Sequence, residues 1–350
     1  MLFRSGNSPD LLGLIDQYGA DATRFGIMIA SPAGNDLLFD ESSLEQGRNF
    51  NNKLWNALKL VKMWEGRQLA IDKRQLANDN FAIDWFENRL NEVKAGVDSL
   101  MKQFRLSEAL KTIYSLIWDD FCSWYLEWVK PGFEQPIEKA IYEKTIYFFS
   151  ELMQLLHPYM PFVTEEIYHL LEDRTDDLCV KRYVNQGNID YNILMYGNYL
   201  KSDITAIRDA RIKNGIKNSE KLKFTSSYWL MNKNKSILTI LEKQTNLELN
   251  AEDLSKEHGI EILQNEIRVP SITKDTYHLQ INREIDTSAQ KESLVKDLEH
   301  QKGFLLSVEK KLSNEKFVAN AKPEVLAMEQ KKKADALSRI KAIEESLAAL

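Results

Sequence analysis

One row of side chains at helical spacing has the chemistry to contact a nucleic acid: Asn49, Lys53, Asn56 and Leu60. A second row runs beside it and contains Arg48, Asn52, Trp55 and Lys59. Amides can hydrogen-bond to base edges, cationic side chains can hold phosphates, and leucine or tryptophan can stack under an unpaired base. An ordinary solvated helix face explains the same residues, and from the residues alone it is the stronger interpretation.

Lysines near the C-terminus form a second group with possible phosphate-binding chemistry. They are Lys310, Lys311, Lys316, Lys322, Lys331, Lys332 and Lys333. Lys331–Lys333 are the strongest candidates, because three adjacent charges cover most of a helix circumference. The alternative is the outward-facing charge of a coiled coil, which the near balance of 12 basic and 10 acidic residues over 288–350 supports.

Catalytic chemistry is not evident in the sequence. It contains no glycine-rich phosphate loop, no Gly-x-Ser-x-Gly motif and no Cys-x-x-Cys pair. Asp119 and Asp120 are adjacent, so on a helix they point about 100° apart and cannot share one substrate atom. We therefore expect no catalytic residue and no metal ligand set, and we interpret Cys122 as a small buried hydrophobe. A core role is also favoured over base stacking for Trp118, Trp124, Tyr125 and Trp128.

The composition of the 350 residues indicates an ordinary globular protein, with 43% hydrophobic and 28% charged residues and a net charge of −6. No apolar run approaches the roughly 20 residues of a membrane span, and the N-terminus has no signal-peptide core. The two cysteines, Cys122 and Cys179, give no disulfide framework, so we expect a reducing, cytoplasmic location. Only 14 glycines and 8 prolines predict long helices with few turns.

The helical patterns predict an antiparallel bundle in the first 200 residues. Helices are expected at 10–18, from the cap Asp21 to 30, from Asp40 to about 66, and from a cap at Asn78 or Asp79 to about 104. Others are expected from Ser107 to Pro131, from Pro136 to 157, from Pro161 to 171, and over 200–214, with Gly215 as the C-cap of the last. The stripe that would face the core of the Asp40 helix contains Phe50, Leu54, Ala57, Leu58, Val61 and Trp64.

Two further units follow the bundle. Alternating apolar residues at 222–230 and 277–281, with short apolar runs at 260–263 and 267–272 and a helical run at 237–241, predict a small α/β module. Heptad seams on either side of Pro323 predict an antiparallel coiled-coil hairpin. The fold class is therefore mainly α, divided into a connector at 1–39, the bundle at 40–200, the α/β module at 201–287 and the coiled-coil arm at 288–350.

Several stretches resemble valyl-tRNA synthetases, which are class I aminoacyl-tRNA synthetases. The segment that follows the family's Lys-Met-Ser-Lys-Ser loop is similar to GNSPDLLGLIDQYGADATRFGIMIASPAGNDLLFDESSLEQGRNFNNKLWNALK in this sequence. Two stretches resemble the family's anticodon-binding bundle, namely WDDFCSWYLEWVKP and LLHPYMPFVTEEIYHLL. A third stretch, IRDARIKNGIKNSEKL, resembles the segment that follows this bundle. KLSNEKFVANAKPEVL resembles the turn of the C-terminal arm. The tail also lacks the cysteine-rich module that usually ends the related isoleucine enzymes.

The sequence departs from the family pattern at its start. Met1-Leu2-Phe3-Arg4-Ser5 stands where the loop would be, and both lysines that would stabilise the triphosphate are missing. His-x-Gly-His does not occur. The nucleotide-binding fold and the editing domain, which lie upstream in the family, have no counterpart here. The resemblance thus implies a C-terminal piece that is inactive by itself.

The resemblance implies that this piece holds tRNA(Val). It assigns anticodon contacts to the helix that carries Asn49, Lys53 and Asn56, and contacts with the tRNA body to the arm. ATP and Mg²⁺ would serve only the full-length enzyme, and this piece would need no cofactor. We expect a monomer that binds neither DNA nor membranes. The alternative is a structural scaffold of helices and coiled coil without an RNA role.

Overall fold

The computed structural model of the protein is mainly helical, which confirms the predicted fold class. It describes residues 10–31, 40–69, 80–183, 187–226, 235–250, 266–273, 276–281, 288–313 and 323–348. Its helices are α1 (Leu11–Tyr18), α2 (Ala20–Ile29), α3 (Glu41–Lys62), α4 (Phe81–Lys102), α5 (Leu106–Ser115), α6 (Leu126–Val129), α7 (Lys139–Leu156), α8 (Pro161–Leu171), α9 (Tyr191–Lys213), α10 (Lys235–Thr245), α11 (Ser288–Leu312) and α12 (Pro323–Ala348). None of the described helices is long and apolar enough to cross a membrane.

The predicted start of α3 is confirmed. Asp40 has extended backbone angles, and its carboxylate accepts a hydrogen bond from the backbone N–H of Ser42 at 2.9 Å, as an N-cap does. The predicted apolar stripe is fully or almost fully buried, from Phe50 through Val61 to Trp64. The helix ends at Lys62, and a short 3₁₀ turn at Glu65–Arg67 replaces the last turn expected from the sequence.

The prediction that Asp21 caps its own helix is wrong. Gly19 precedes α2, and Asp21 lies in the first turn of that helix. Its carboxylate instead accepts hydrogen bonds from the backbone N–H groups of Phe162, at 3.3 Å, and Val163, at 2.6 Å. These two groups belong to the first turn of α8, so Asp21 satisfies a helix start that is distant in sequence. Burial raises the pKa of Asp21, although these hydrogen bonds oppose the shift.

Two other predicted helix starts move by a few residues. Helix α4 is capped by Asn80, whose side-chain oxygen accepts from the backbone N–H of Ala82 at 3.2 Å, whereas the predicted caps at 78–79 lie outside the described residues. Helix α7 does not begin at Pro136, because Ile137–Glu138 (β2) pairs in parallel with Gln68–Leu69 (β1). The small bridge ties the end of α3 to the start of α7.

A π-helical segment, Leu116–Tyr125, lies between α5 and α6 where the sequence predicts one continuous α-helix. The wider turn shows in an i to i−5 hydrogen bond from the backbone N–H of Leu126 to the Phe121 carbonyl. The segment places Phe121 and Tyr125 in the bundle core, where Phe86 contacts both rings. The bundle core is thus aromatic, as the tryptophan-rich sequence indicates.

Helix α9 begins at Tyr191, nine residues before the helix start expected from the sequence, so the predicted domain boundary at 200 lies inside a continuous helix. Asp190 caps it through a 2.9 Å hydrogen bond from the backbone N–H of Asn192. Its C-terminal half packs on a sheet of β3 (Leu222–Ser226), β4 (Leu247–Leu249), β5 (Glu266–Pro270) and β6 (Thr276–Gln280). Gly215, with φ of +62°, follows α9 as the left-handed residue predicted there.

The four strands lie in the order β4-β3-β6-β5. β3 pairs in parallel with β4 and antiparallel with β6, and β5 pairs antiparallel with β6. Buried Asp203 of α9 joins helix and sheet, because it accepts hydrogen bonds from Ser271 and Tyr277, each at 2.7 Å. The predicted strand at 260–263 lies outside the described residues. The α/β character predicted for this module is confirmed.

Helices α11 and α12 pack antiparallel. Three interhelical ion pairs fix the direction: Lys302 with Glu344 at 2.9 Å, Lys333 with Glu309 at 2.8 Å, and Lys311 with Glu329 at 3.9 Å. Val308, Ala336 and Ile340 are buried along the contact. The antiparallel packing follows from these pairs, while the coiled-coil hairpin stays a prediction, because the connecting turn lies outside the described residues.

Candidate nucleic-acid interface

The structure places four of the six α3 candidates on the solvent face of the helix. Arg48, Asn49, Asn52 and Asn56 are exposed, as is Lys59 in the neighbouring row. The face exists because the opposite side of α3 is anchored by the buried stripe from Phe50 to Val61. Three amides and two cations thus share one exposed surface, the α3 face, defined here as Arg48, Asn49, Asn52, Asn56 and Lys59.

The other two α3 candidates, Lys53 and Leu60, lie at the flank of the helix and are half-buried. The Lys53 ammonium is 5.2 Å from the centroid of the Trp118 ring, within the range of a cation–π interaction. Leu60 packs against the bundle core. Lys53 therefore extends along an aromatic surface, with its charge at the edge of the α3 face.

The aromatic residues of the π segment and α6 are mainly core. Tyr125 and Trp128 are buried, which confirms the core interpretation for these two. Burial also raises the pKa of the Tyr125 hydroxyl, which hydrogen-bonds with Thr145 at 2.9 Å. Trp118 and Trp124 are half-buried, and Trp118 stacks on Tyr114 with the ring centroids 5.6 Å apart.

Cys122 lies on the buried side of the π segment, as predicted. Burial raises the pKa of its thiol to about 12, although the nearby Lys53 charge acts in the opposite direction. Cys179 is exposed. Because the thiolate is the reactive form, the two cysteines differ both in access and in ionisation.

A thiol-labelling prediction follows from this difference. At pH 8 the folded chain is expected to react with one equivalent of a disulfide reagent within minutes, at Cys179, and with a second only after denaturation. Absorbance of the released thiol measures both stages. The Cys179→Ser variant should show no fast labelling, and fast labelling of that variant would contradict the burial of Cys122.

A cavity of about 450 Å³ lies between α4, the π segment and α9. Asp120 is buried at its wall and accepts hydrogen bonds from Arg89, at 2.8 Å, and Lys201, at 3.0 Å. Arg89 also pairs with Glu92 at 2.5 Å, and the Lys201 ammonium lies 4.8 Å from the Trp85 ring centroid. Tyr191 and Tyr199 line the cavity as well. Cations and aromatic faces in one concave site suit an unstacked RNA base.

Sequence reasoning missed this cavity. Asp120 was expected to be structural, and its ion pairs with Arg89 and Lys201 agree with that role. The three residues are separated by tens of positions and share no spacing that a pattern search detects. Asp119, by contrast, is exposed and accepts a hydrogen bond from Ser115 at 2.8 Å. The two adjacent carboxylates therefore lie in different environments and do not act on one substrate atom.

The lysines of the hairpin divide into two groups. Lys311, Lys332 and Lys333 form ion pairs with Glu329 or Glu309 within the hairpin. Lys310 and Lys331 are exposed, and neither joins an ion pair among the described residues of α11 and α12. Lys316 and Lys322 lie outside the described residues. The Lys332 hydrogen bond lowers the pKa of the Glu329 carboxyl.

Comparisons with known proteins bear on this interface. Residues 84–226 match the family model of the anticodon-binding domain of tRNA ligase. The valine–tRNA ligase of Parabacteroides distasonis is 42% identical over 348 residues, which is 99% of this chain and 38% of that protein. The valine–tRNA ligase of Phocaeicola vulgatus is 43% identical over 350 residues, again 99% of this chain and 38% of the relative. This chain is a homologue of the valine–tRNA ligases.

The relationship has a defined extent. The chain spans 38% of the length of these valine–tRNA ligases and corresponds to their C-terminal part. A valine–tRNA ligase from Agrobacterium fabrum is 32% identical over 94% of this chain. Among solved structures, a leucyl-tRNA synthetase from Agrobacterium radiobacter in a ternary complex aligns with 55% of this chain and 22% of its own chain, at a TM-score of 0.38 and 14% identity. The resemblance to valyl-tRNA synthetases seen in the sequence is confirmed.

Proposed function

We propose that this chain is the tRNA-holding part of a valine–tRNA ligase. The observation that carries the proposal is the match of residues 84–226 to the anticodon-binding domain of tRNA ligases, within a chain homologous to valine–tRNA ligases over 99% of its length. In this proposal the bundle recognises the anticodon of tRNA(Val), and the α11–α12 hairpin supports the body of the tRNA.

The α3 face supplies the recognition chemistry in this proposal. Its amides offer donors and acceptors to base edges, while Arg48 and Lys59 attract phosphates. Lys53 adds a charge at the edge of the face, above Trp118. The cavity beside Asp120 is the candidate pocket for an unstacked base, since Tyr191 and Tyr199 line it together with Arg89 and Lys201.

Aminoacylation itself belongs to another part of the enzyme in this proposal. ATP and Mg²⁺ act there, and the present chain contributes no catalytic group and holds no cofactor for that reaction. It works in the cytoplasm, as a monomer, and its contribution to rate is positional, because a fixed tRNA presents its acceptor end to the reacting centre.

A scaffold without an RNA role is the second candidate function. What favours it is that Lys311, Lys332 and Lys333 pair with acidic residues inside the hairpin. Glu329 is buried, so Lys311 and Lys332 would leave it only at a cost. The Lys333–Glu309 pair is partly exposed, and a pair of that kind contributes about 0–1 kcal/mol. Lys310 and Lys331 lie outside ion pairs among the described hairpin residues. The pairs therefore do not separate the two functions, and a binding measurement is needed.

A double substitution on the α3 face tests the proposal. Asn52→Asp with Asn56→Asp adds two negative charges at exposed, nearly isosteric positions, where phosphates and base acceptors would approach. We expect tRNA(Val) to bind about tenfold more weakly at 0.1 M salt, or about 1.4 kcal/mol, and the difference from wild type to shrink as salt rises. A filter-binding or gel-shift titration at several salt concentrations measures this.

The matched control places the same two added charges in the α/β module, as Asn218→Asp with Thr239→Glu, both exposed positions. Its tRNA affinity should equal that of the wild type. Equal affinities for the wild type and both variants would assign α3 to an ordinary solvated face. A wild-type chain without salt-dependent tRNA binding would favour the scaffold.

A further inference from the structure

Helix α8 and the loop after it bring together metal-ligating side chains that the sequence leaves scattered. Glu165 and His169 stand one helical turn apart, and Asp177 lies in the following loop. His169 Nε2 is 3.4 Å from Glu165 Oε1 and 3.0 Å from Asp177 Oδ1. The three ligand atoms all lie within 4.8 Å of one another.

These separations fit a single small cation. Ligands at about 2.0–2.2 Å from a tetrahedral zinc ion lie about 3.3 Å from each other. The two separations from His169, 3.4 and 3.0 Å, bracket that value, and the two carboxylate oxygens lie within 4.8 Å of each other. A single imidazole N–H can donate to only one of the two carboxylate oxygens that flank His169 Nε2, whereas a divalent cation can bind both.

His157 faces the same carboxylate from the end of α7, with Nε2 at 3.7 Å from Glu165 Oε2. Its other ring nitrogen, Nδ1, lies 2.8 Å from the hydroxyl of Thr164. That hydroxyl donates its one hydrogen to the Met160 carbonyl, at 2.7 Å, so it accepts from Nδ1–H. In the neutral imidazole the lone pair is then on Nε2, directed toward Glu165, which is the tautomer that a metal ligand needs.

The surroundings of Glu165 orient it for ligation. The backbone N–H of Leu178 donates to Glu165 Oε1 at 2.8 Å, which holds the carboxylate between α8 and the loop. A cavity of about 500 Å³ opens beside the group and is lined by His157, Glu165, His169 and Cys179. With neutral imidazoles, Glu165 and Asp177 give the group a charge of −2, which attracts a cation.

We propose that Glu165, His169 and Asp177 form a binding site for a divalent transition metal ion of the Zn²⁺ class, with His157 beside the site on the other oxygen of Glu165. The mixture of imidazole and carboxylate donors favours zinc over calcium or magnesium, which prefer oxygen ligands alone. Asp177 is 59% exposed and the site opens to solvent, so water completes the coordination.

Zinc titration of the full chain tests the proposal. The chain is first stripped with a chelator, and Zn²⁺ is then added in competition with a chromophoric chelator. We expect one Zn²⁺ per chain, with affinity at least about tenfold weaker in His169→Gln and in Asp177→Asn, since even outer-shell partners contribute factors of 10 to 100. His300→Gln, at an exposed position of α11, is the matched control and should bind as the wild type does.

Thermal unfolding gives a second, independent measurement. At one fixed free Zn²⁺ concentration, the Tm of the wild type and of His300→Gln should rise more than that of Asp177→Asn, because the ion binds the folded state and the variant binds it more weakly. Asp177 is exposed, so its substitution leaves the fold intact. Zinc affinity that is the same in the wild type, His169→Gln and Asp177→Asn would overturn the proposal, as would a wild-type chain that binds no zinc.

Discussion

Replacing Gly47 by alanine is expected to lower the free energy of unfolding by about 2 kcal/mol. Gly47 lies where α3 crosses α2, and a Cβ atom there would come within 2.7 Å of the Ala22 carbonyl oxygen and 2.9 Å of its Cα. Both are backbone atoms of a helix, so neither can move aside alone. The two helices would have to separate, and the buried contacts of Phe25 and Phe50 would loosen.

The same crossing depends on Gly26 of α2, whose added Cβ would lie 2.8 Å from the backbone nitrogen of Leu44. Alanine at Gly26 should therefore destabilise the chain to a similar extent. The two changes act on one interface, so the double variant should lose less than the sum of the single losses.

Gly96→Ala is the matched control for these substitutions. Gly96 is an exposed residue inside α4, and an added Cβ would have no neighbour within 4 Å. Alanine there should stabilise the chain by about 0.5–1 kcal/mol, through helix propensity alone. Urea unfolding followed by tryptophan fluorescence compares the variants. A Gly47→Ala chain as stable as Gly96→Ala would show that the helices do not meet as closely as described.

Much of the bundle could be predicted because its local patterns agree with its tertiary packing. The cap at Asp40, the stripe from Phe50 to Trp64 and the proline that opens α8 each depend on neighbouring residues alone. Where sequence and structure differ, the determining contact is distant. Asp21 reads as the cap of its own helix, yet Val163 supplies its hydrogen-bond partner.

The π segment shows another limit of sequence patterns. Leu116–Tyr125 is apolar at spacings that fit an α-helix, and its widened turn follows from packing large rings such as Phe121 and Tyr125 against Phe86. Helix propensity does not distinguish the two helix types. The sequence places the start of α9 nine residues too late, because Ile193, Leu194 and Tyr196 do not form one stripe at helical spacing, although Leu194 and Gly197 are buried.

The candidate site residues also divide into those that neighbouring residues determine and those that only tertiary contacts bring together. The exposed amides of α3 could be recognised because a single helix displays them at its own periodicity. The Asp120–Arg89–Lys201 cluster and the His157–Glu165–His169–Asp177 cluster could not, since each is assembled from elements that only the tertiary fold brings together. In the second cluster, the helical spacing of Glu165 and His169 was the one local signal.

Removal of residues 288–350 is expected to weaken tRNA binding at least tenfold while the rest of the chain stays folded. Helices α11 and α12 bury their apolar residues against each other, since Val308, Ala336 and Ile340 lie between them and three ion pairs cross the contact. The aromatic core of the bundle lies in other elements. The midpoint of unfolding of the bundle should therefore be nearly unchanged in the truncated chain.

The loss of affinity should come from phosphate contacts, so it should be similar for different tRNAs and should reduce the salt dependence of binding.

Lys310 and Lys331 allow a finer test in the full chain, because both are exposed and neither is ion-paired within the described hairpin. Lys310→Gln with Lys331→Gln should lower the slope of log K against log salt by about two units, if each lysine meets one phosphate. The matched control is Lys333→Gln, which removes a lysine held at 2.8 Å from Glu309 and should change the slope less. Truncated and full chains that bind tRNA equally would make the hairpin purely structural, and a truncated chain that fails to fold would show that the hairpin stabilises the body.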